Sequence, residues 1–245
     1  MLVLGPSYAS GQHRHHAAQI ACGLEGPVVY ESAQTGVHRA DLVLIPPDVP
    51  HSHPAFGPAA VLYLEPESAE WARFPGRSPD PENAGLVSLP FEPQLRSFAR
   101  RAAAGDALAA QSLVDGLIGP GATNRSAGED ALVSQVCTLI RERLDGRITL
   151  AALAAAVHRS PSRLAHRFRE ATGVPLRCYV LWRRLRAAAE AAMRGSSLTE
   201  AAHVAGFADS AHLSRTFRAN FGIAPSFMFE PGRLSVTFCE ASAET

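Results

Sequence analysis

The stretch SRLAHRFREATGVP (residues 162–175) has a close copy in AHLSRTFRANFGIAP (residues 211–225). The copies share a leucine, a phenylalanine and a glycine, always 49 residues apart: Leu164 and Leu213, Phe168 and Phe217, Gly173 and Gly222. Apolar residues four positions apart, followed by a glycine, predict an amphipathic helix that ends in a left-handed turn. The chain is therefore expected to contain one small helical unit twice.

Each copy follows a short alanine-rich helix and a tight turn. In the first copy Ser160 is predicted to cap the helix, with Pro161 at its first position. In the second copy Asp209 or Ser210 is expected to be the cap. Alanines where two helices cross let their backbones approach closely, as a helix-turn-helix requires. The pattern predicts two such units.

The side of each repeated helix opposite its leucine and phenylalanine is polar and basic. Arginine and histidine there are able to reach guanine edges or phosphates. Arginines expected to make phosphate or base contacts are Arg163, Arg167, Arg169, Arg183, Arg184, Arg215 and Arg218. The alternative is two solvated faces on an ordinary helical bundle. Two equivalent faces in one basic segment favour DNA binding.

The distribution of charge supports this interpretation. The chain has 23 basic and 23 acidic residues and no net charge. Residues 1–145 contain ten arginines and sixteen acids, a net −6, whereas residues 146–230 contain twelve arginines and five acids, a net +7. A basic second half suits a polyanion. Between the copies, residues 176–195 predict a helix of about 30 Å, close to the roughly 34 Å of one DNA turn.

The first half has a different pattern. Short apolar runs between proline and glycine residues predict a small β-barrel over residues 1–92. Helical periodicity marks residues 93–118, and residues 119–128 are predicted to be a linker. The 93–118 helices either mediate dimerisation or cover the sheet, through Leu95, Phe98, Leu108, Leu113 and Leu117. The predicted fold class is α+β with two domains, and residues 231–245 are expected to form a tail.

Residues 129–230 resemble the DNA-binding domain of the AraC family of bacterial transcription regulators, most clearly in AAHVAGFADSAHLSRTFRANFGIAPSFM. The resemblance implies that outward residues of the two repeated helices read DNA bases. Carried over by position, these residues are Ser162, Ala165 and His166 in the first helix and Ala211, His212 and Arg215 in the second. This sequence departs from the family pattern at His158, where the first turn often has glycine, and at Ala208, where a serine cap is common.

GQHRHHAAQIACGLEG and LIPPDVPHSH resemble the two motifs of a cupin, the barrel common at the front of AraC-type regulators. The second motif has Asp48 where glycine is usual, and Gln19 stands where metal-binding cupins have glutamate. The metal-ligand candidates are His13, His15, His51 and His53, for which Zn²⁺, Ni²⁺, Cu²⁺ and Fe²⁺ are suitable ions. Alternatively, these histidines line a pocket for an organic effector, whose candidate residues are Gln19, Tyr30, Tyr63 and Trp71. Phe56 and Phe74 are expected in the core.

These observations predict a one-component transcription regulator, an activator or a repressor, that is not an enzyme. Its expected partners are double-stranded DNA and a small-molecule or metal effector, with RNA polymerase and a second copy of the chain as further candidates. No membrane partner is expected, and the absence of a signal peptide at the start predicts a cytoplasmic protein. The rival hypothesis is a metal-dependent cupin enzyme with an appended helical domain.

Overall fold

The computed structural model describes residues 1–65, 68, 71, 74, 85–118, 131–230 and 234–237. The chain divides into two compact units, Met1–Asn124 with Arg218–Thr245, and Arg125–Phe217. Among the described residues, every strand except the one at Ser235–Thr237 precedes the helices from Gln94 onward, which confirms the predicted α+β class with two domains. The predicted linker, residues 119–128, lies outside the described residues.

The first unit is built mainly from short antiparallel strands. Their bounds are β1 Leu2–Gly5, β2 Ser10–His13, β3 Ala18–Gly23, β4 Val28–Ser32, β5 Gly36–Ala40, β6 Leu42–Ile45, β7 His51–His53, β8 Ala59–Leu64, β9 Val87–Ser88 and β10 Ser235–Thr237. One sheet has the order β10-β1-β8-β3-β6-β9 and the other β2-β7-β4-β5. The predicted barrel is therefore corrected: the described strands pair in two separate sheets and not in one closed ring.

Strand β3 lies at the centre of the larger sheet, and both of its faces are buried. Ile20 and Cys22 pack into a core with the helices that follow the sheets. Ala21 points the other way, into a core shared with Val28 and Tyr30 of the smaller sheet. Alternate side chains of this strand thus pack into two different cores, which explains why the strand is buried throughout and apolar except at Gln19.

Two helices, α1 (Gln94–Ala103) and α2 (Ala107–Ile118), cover the outer face of the larger sheet. Leu95, Leu113 and Leu117 are buried in the core with strand residues, and Phe98 packs against it. Leu108 is 80% exposed. These helices therefore pack on the sheet, and a role in dimerisation stays a prediction.

The predicted tail contains a strand. Residues 235–237 form β10, which pairs antiparallel with β1 and so extends the larger sheet. The chain's last described segment therefore returns to its first strand. Residues 238–245 lie outside the described part.

The second unit is helical. Its helices are α3 Ala131–Glu142, α4 Leu150–Ala156, α5 Pro161–Thr172, α6 Leu176–Met193, α7 Leu198–Val204 and α8 Ser210–Phe221, followed by α9 Pro225–Met228. Helix α8 begins in this unit, while its last residues, 218–221, and α9 are counted with the first. Helices α4 and α5 form one helix-turn-helix, and α7 and α8 form the other. The long helix α6 separates the two in sequence.

Local signals fix where these helices begin. The hydroxyl of Ser160 accepts a hydrogen bond from the Arg163 N–H, and Pro161 follows at the first helical position, as predicted. The Asp209 carboxylate accepts from the His212 N–H at 2.6 Å, so Asp209 caps α8. Ser197 and Glu200 form a reciprocal capping box at the start of α7. Such caps contribute about 1 kcal/mol each.

Among the described residues, no helix combines the length and the apolar character needed to cross a membrane.

Candidate functional site

Helix α5 has one buried and one exposed face. Leu164 and Phe168 are fully buried, in a core shared with α3, α4 and α6. The candidate DNA-contacting residues lie on the other side: Ser162, Arg163, His166, Arg167 and Arg169 are exposed, and Ala165 is half-buried. The helix therefore presents its basic side to solvent.

Helix α8 repeats this arrangement. Leu213 and Phe217 are buried at 1% and 0% exposure. The candidate residues Ala211, His212, Arg215 and Arg218 are exposed. The His212 ring also packs edge-on against Phe207, with centroids 5.3 Å apart, which limits its rotation.

The arginines of these faces are available to an external anion. Arg167 pairs with Glu170 at 2.9 Å, an exposed contact within one helix that is worth little in water. Within the described part of the chain, Arg163, Arg169 and Arg215 have no carboxylate partner. The two faces are thus not neutralised by the protein's own acids.

A groove of about 520 Å³ lies at the start of α5. It is lined by Leu132, His158, Arg159, Ser160, Arg163 and Arg167. Arg159 was not singled out from the sequence, although its position in the turn before a capped helix was a usable signal. Three arginines around one groove suit a phosphate.

The two turns share an unusual backbone conformation. His158 has φ +53° and Gly206 has φ +73°, both in the left-handed region. A side chain there costs roughly 1 kcal/mol or more, so the departure from glycine at His158 carries strain. The turns are equivalent in geometry, although only the second uses glycine.

Two predicted DNA contacts, Arg183 and Arg184, lie instead on helix α6 and are half-buried. Arg184 donates through Nη2 to the carbonyl of Gly146 at 2.7 Å, and burial lowers its pKa. Arg183 also has contacts within the protein. Arg184 therefore also holds α6 to the turn at Gly146, and the assignment of both arginines to DNA contacts stays a prediction.

The first unit contains a cavity of about 90 Å³. Gln19, Tyr30 and Tyr63 line it, as do His13 and His53. Phe56, expected in the core, lines it as well.

Trp71 does not belong to this pocket. It is 4% exposed and stacks on Phe74, with ring centroids 5.9 Å apart, in the core beneath α1 and α2. Its large apolar ring is buried on the opposite face of the larger sheet from the cavity. Its prediction as an effector contact is therefore wrong, while Phe74 lies in the core as expected.

Several cavity residues were not recognised from the sequence. Phe221, Ile223 and Met228 line the cavity from the end of α8 and from α9. Tyr8 lines it too and packs edge-on against Phe227 at 4.6 Å. These contacts join positions more than 200 residues apart, and no local pattern in either segment indicates them.

Three of the four candidate metal-ligating histidines lie together beside this cavity. His13 and His51 face each other across the β2–β7 pair, and their ring centroids are 4.2 Å apart. His15 follows two residues after His13, 5.1 Å from the His51 ring. All three are buried. His53 is not part of this group: among the described residues, the ring nitrogens that lie within 4.8 Å of one another belong to His13, His15 and His51, and the His53 ring packs against Tyr30.

Burial keeps these rings neutral. It lowers the pKa of His13, and it lowers that of His15 to about 4 with help from the neighbouring His13. The pKa of His51 is lowered further, first by burial and then by His15 and His13.

Asp48, in the glycine position of the second motif, takes φ +62°, and its N–H donates a hydrogen bond to the His15 carbonyl at 2.9 Å.

Together, two exposed basic helices in tandem helix-turn-helix units and a pocket-bearing β unit define a two-domain protein with a candidate DNA-binding surface. A family model described as a helix-turn-helix domain matches residues 153–230. Over 118 residues the chain is 35% identical to the transcriptional activator NphR of Rhodococcus, a match covering 47% of this chain and 34% of that protein. Residues 153–230 therefore match a helix-turn-helix family model, and the chain is similar to a transcriptional activator over about a third of that relative's length.

Solved structures show the same overall fold. ToxT from Vibrio cholerae O395 aligns with a TM-score of 0.62 over 94% of this chain and 98% of its own, at 11% identity. ToxT bound to (E)-4-(8-methylnaphthalen-1-yl)but-3-enoic acid aligns with a TM-score of 0.61, 94% and 99% coverage, and 11% identity. At this identity the likeness concerns the fold alone.

Proposed function

We propose that this protein is a one-component transcription regulator. Helices α5 and α8 bind duplex DNA, and a small ligand in the first unit controls that binding. The observation that carries the proposal is the pair of equivalent exposed arginine faces, each backed by a buried leucine and phenylalanine. A chance surface would not be expected to repeat this arrangement at the same helix positions.

The two helices are expected to contribute differently. In α5 the base-facing positions hold Ser162 and Ala165, which are small, so this helix mainly contacts phosphate through Arg163, Arg167 and Arg169. In α8, Arg215 is long and exposed, and its guanidinium suits the two acceptors of a guanine edge. Sequence preference therefore rests more on α8.

A route for control is supported by the residues that follow the second reading helix. Phe221 is the last residue of α8 and lines the cavity, with its ring 5.8 Å from Tyr63 and 6.4 Å from His15. Gly222 is so close that a Cβ there would lie 2.9 Å from His13 Nδ1. A ligand that moves these groups acts on the end of α8.

The remaining partners follow from this role. A cytoplasmic regulator would act at promoters, where RNA polymerase is a candidate partner. A homodimer would allow two chains to bind repeated half-sites of the DNA. An enzymatic role for the histidine cluster is the competing proposal. The match of residues 153–230 to a helix-turn-helix domain and the similarity to a transcriptional activator favour regulation. The test is whether the purified chain selects a DNA sequence.

The experiment is selection of duplexes from a random library by the full-length protein, followed by affinity measurement on the enriched sequence and on a scrambled one. We expect enrichment of a motif and tighter binding to it than to its scramble. Recovery of no motif, with equal weak affinity for both duplexes, would reject the proposed function.

Binding to the selected duplex is expected to depend strongly on salt. If three to five of the exposed arginines contact phosphates, the slope of log K against log salt is about −3 to −4.5. A fourfold increase in salt then weakens binding about 40- to 500-fold. Fluorescence anisotropy from 50 to 200 mM salt measures the slope, and a slope near zero would contradict an arginine-led interface.

A further inference from the structure

We propose that the segment after helix α8 is a strap that closes the cavity of the first unit and opens to admit a ligand. The strap consists of residues 222–230 and 234–237, and it contains helix α9 and strand β10. All of these residues belong to the first unit. The inference concerns access to the cavity, so it stands whether or not the chain binds DNA.

The strap forms part of the cavity wall. Ile223, Met228 and Leu234 line the cavity, next to Phe221 at the end of α8. Met228 is buried, although α9 is only four residues long. All four side chains are apolar, so they favour the exclusion of water from this side of the cavity. Without the strap, this part of the wall would be missing and the cavity would be open there.

One end of the strap is fixed where it leaves α8. Gly222 takes φ +72°, and a Cβ at this position would lie 2.8 Å from Cβ of Ser10 and 3.0 Å from the Gly11 carbonyl oxygen. A glycine allows the chain to pass this close to strand β2. The ring of Phe227 is also held, because it packs edge-on against Tyr8 with centroids 4.6 Å apart. This end of the strap is therefore anchored by close packing.

The other end is attached more weakly. Strand β10 is three residues long and lies at the edge of the larger sheet, where it pairs with β1. Ser235 and Thr237 are exposed, and Val236 is half-buried. Short exposed segments with few buried apolar contacts open at a low cost in free energy while the rest of the fold stays intact. We therefore expect the strap to open from β10, with Gly222 as its hinge.

The hydrogen-bond pattern shows which residue holds β10 on β1. The Met1 amine donates to the Tyr63 carbonyl at 3.0 Å, and the Tyr63 N–H donates to the Met1 carbonyl at 2.8 Å. Met1 thus bonds on the β8 side, and because bonding alternates along an antiparallel strand, the backbone groups of Leu2 face β10. The partner of Leu2 there is Thr237. Thr237 therefore carries the ladder hydrogen bonds, whereas the N–H of Val236 points away from β1.

The first test opens the strap at this bond. Thr237→Pro removes the N–H that bonds to β1, and Val236→Pro is the matched control, because the N–H that it removes faces away from β1. The probe is diethyl pyrocarbonate, which modifies neutral imidazoles. Mass spectrometry measures its reaction rate at His13, a buried residue that lines the cavity, and at the exposed His166 as a reference.

We expect His13 of the wild-type protein to react slowly relative to His166. Thr237→Pro should raise the His13 rate about five- to twelvefold, the change in open population that corresponds to one lost ladder hydrogen bond. Val236→Pro should change the rate less than about threefold, since a proline is tolerated on an edge strand where the N–H faces solvent. Equal His13 rates in the two variants, or a wild-type rate at His13 equal to that at His166, would overturn the strap.

A variant that can be locked guards against effects of misfolding. Val3 and Val236 lie opposite each other as a non-hydrogen-bonded pair, in which the Cα atoms are about 4.5 Å apart, within the range that a disulfide spans. Val3→Cys combined with Val236→Cys should therefore form a disulfide that holds β10 on β1. Cys239 lies outside the described residues, and Cys239→Ser is included so that this thiol cannot compete.

The oxidised form of this variant is compared with the same protein after reduction. Oxidation should slow the reaction at His13 by about fivefold or more, because it prevents the local opening of β10. An unchanged His13 rate in protein whose disulfide is verified by mass spectrometry would show that ligands reach the cavity by another route. Neither test involves DNA, so the strap and the proposed function fail separately.

Discussion

Replacing Gly206 with alanine is expected to destabilise the helical unit by about 2–4 kcal/mol. At φ +73°, any side chain is strained, and the added Cβ would lie 2.2 Å from the Leu144 carbonyl oxygen. The Arg184 guanidinium, held by its bond to Gly146, comes within 3.0 Å of the same point and blocks an easy shift. Conformational strain of about 1 kcal/mol and overpacking of about 1–3 kcal/mol add up to this estimate.

The measurement is thermal unfolding followed by circular dichroism, in which Tm should fall by about 10–20 °C. Gly195→Ala is the matched control, since Gly195 has φ +94° in the same unit and nothing within 4 Å of its Cβ position. Gly195→Ala should lower the free energy of unfolding only by the backbone strain of about 1 kcal/mol. An equal fall of Tm in the two variants would show that the close approach of Leu144 is not what makes Gly206→Ala destabilising.

These turns also show what the sequence could and could not reveal. The repeated leucine, phenylalanine and glycine positions predicted both helix-turn-helix units, because helix periodicity, caps and C-terminal glycines are local signals. His158 and Gly206 were aligned as equivalent turn positions, and both take a left-handed conformation. The close approach of Leu144 to Gly206 is a contact between distant positions, so no local pattern contains it.

The first unit was harder to predict for the same reason. The resemblance to the cupin motifs predicted that His13, His15, His51 and His53 converge, and the structure brings the first three together. The pairing of strands into two sheets, and of β10 with β1, depends on contacts across the whole chain. Trp71 was misassigned because an aromatic residue beside a β region has the same sequence signature whether it lines a pocket or fills a core.

The interface proposal is tested most directly at Arg215. Arg215→Ala is expected to weaken binding to the selected duplex about 5- to 140-fold, corresponding to the 1–3 kcal/mol of a bidentate base contact. The side chain is exposed, and alanine is a good helix former, so α8 should remain folded. Affinity for a scrambled duplex should fall much less. The ratio of the two affinities, which measures sequence preference, should therefore become smaller.

Two further variants separate the guanidinium's shape from its charge. Arg215→Lys keeps the positive charge but cannot contact both acceptors of guanine in one plane, so it should lose sequence preference while keeping most of the non-specific affinity. Arg39→Ala removes the same charge from an exposed position on β5 and is expected to leave binding within about twofold. If Arg215→Lys behaved like the wild type on both duplexes, Arg215 would be a phosphate contact and sequence reading would have to lie elsewhere on the two helices. If Arg39→Ala weakened binding as much as Arg215→Ala, the effect would be one of overall charge, and the face of α8 would not be the DNA interface.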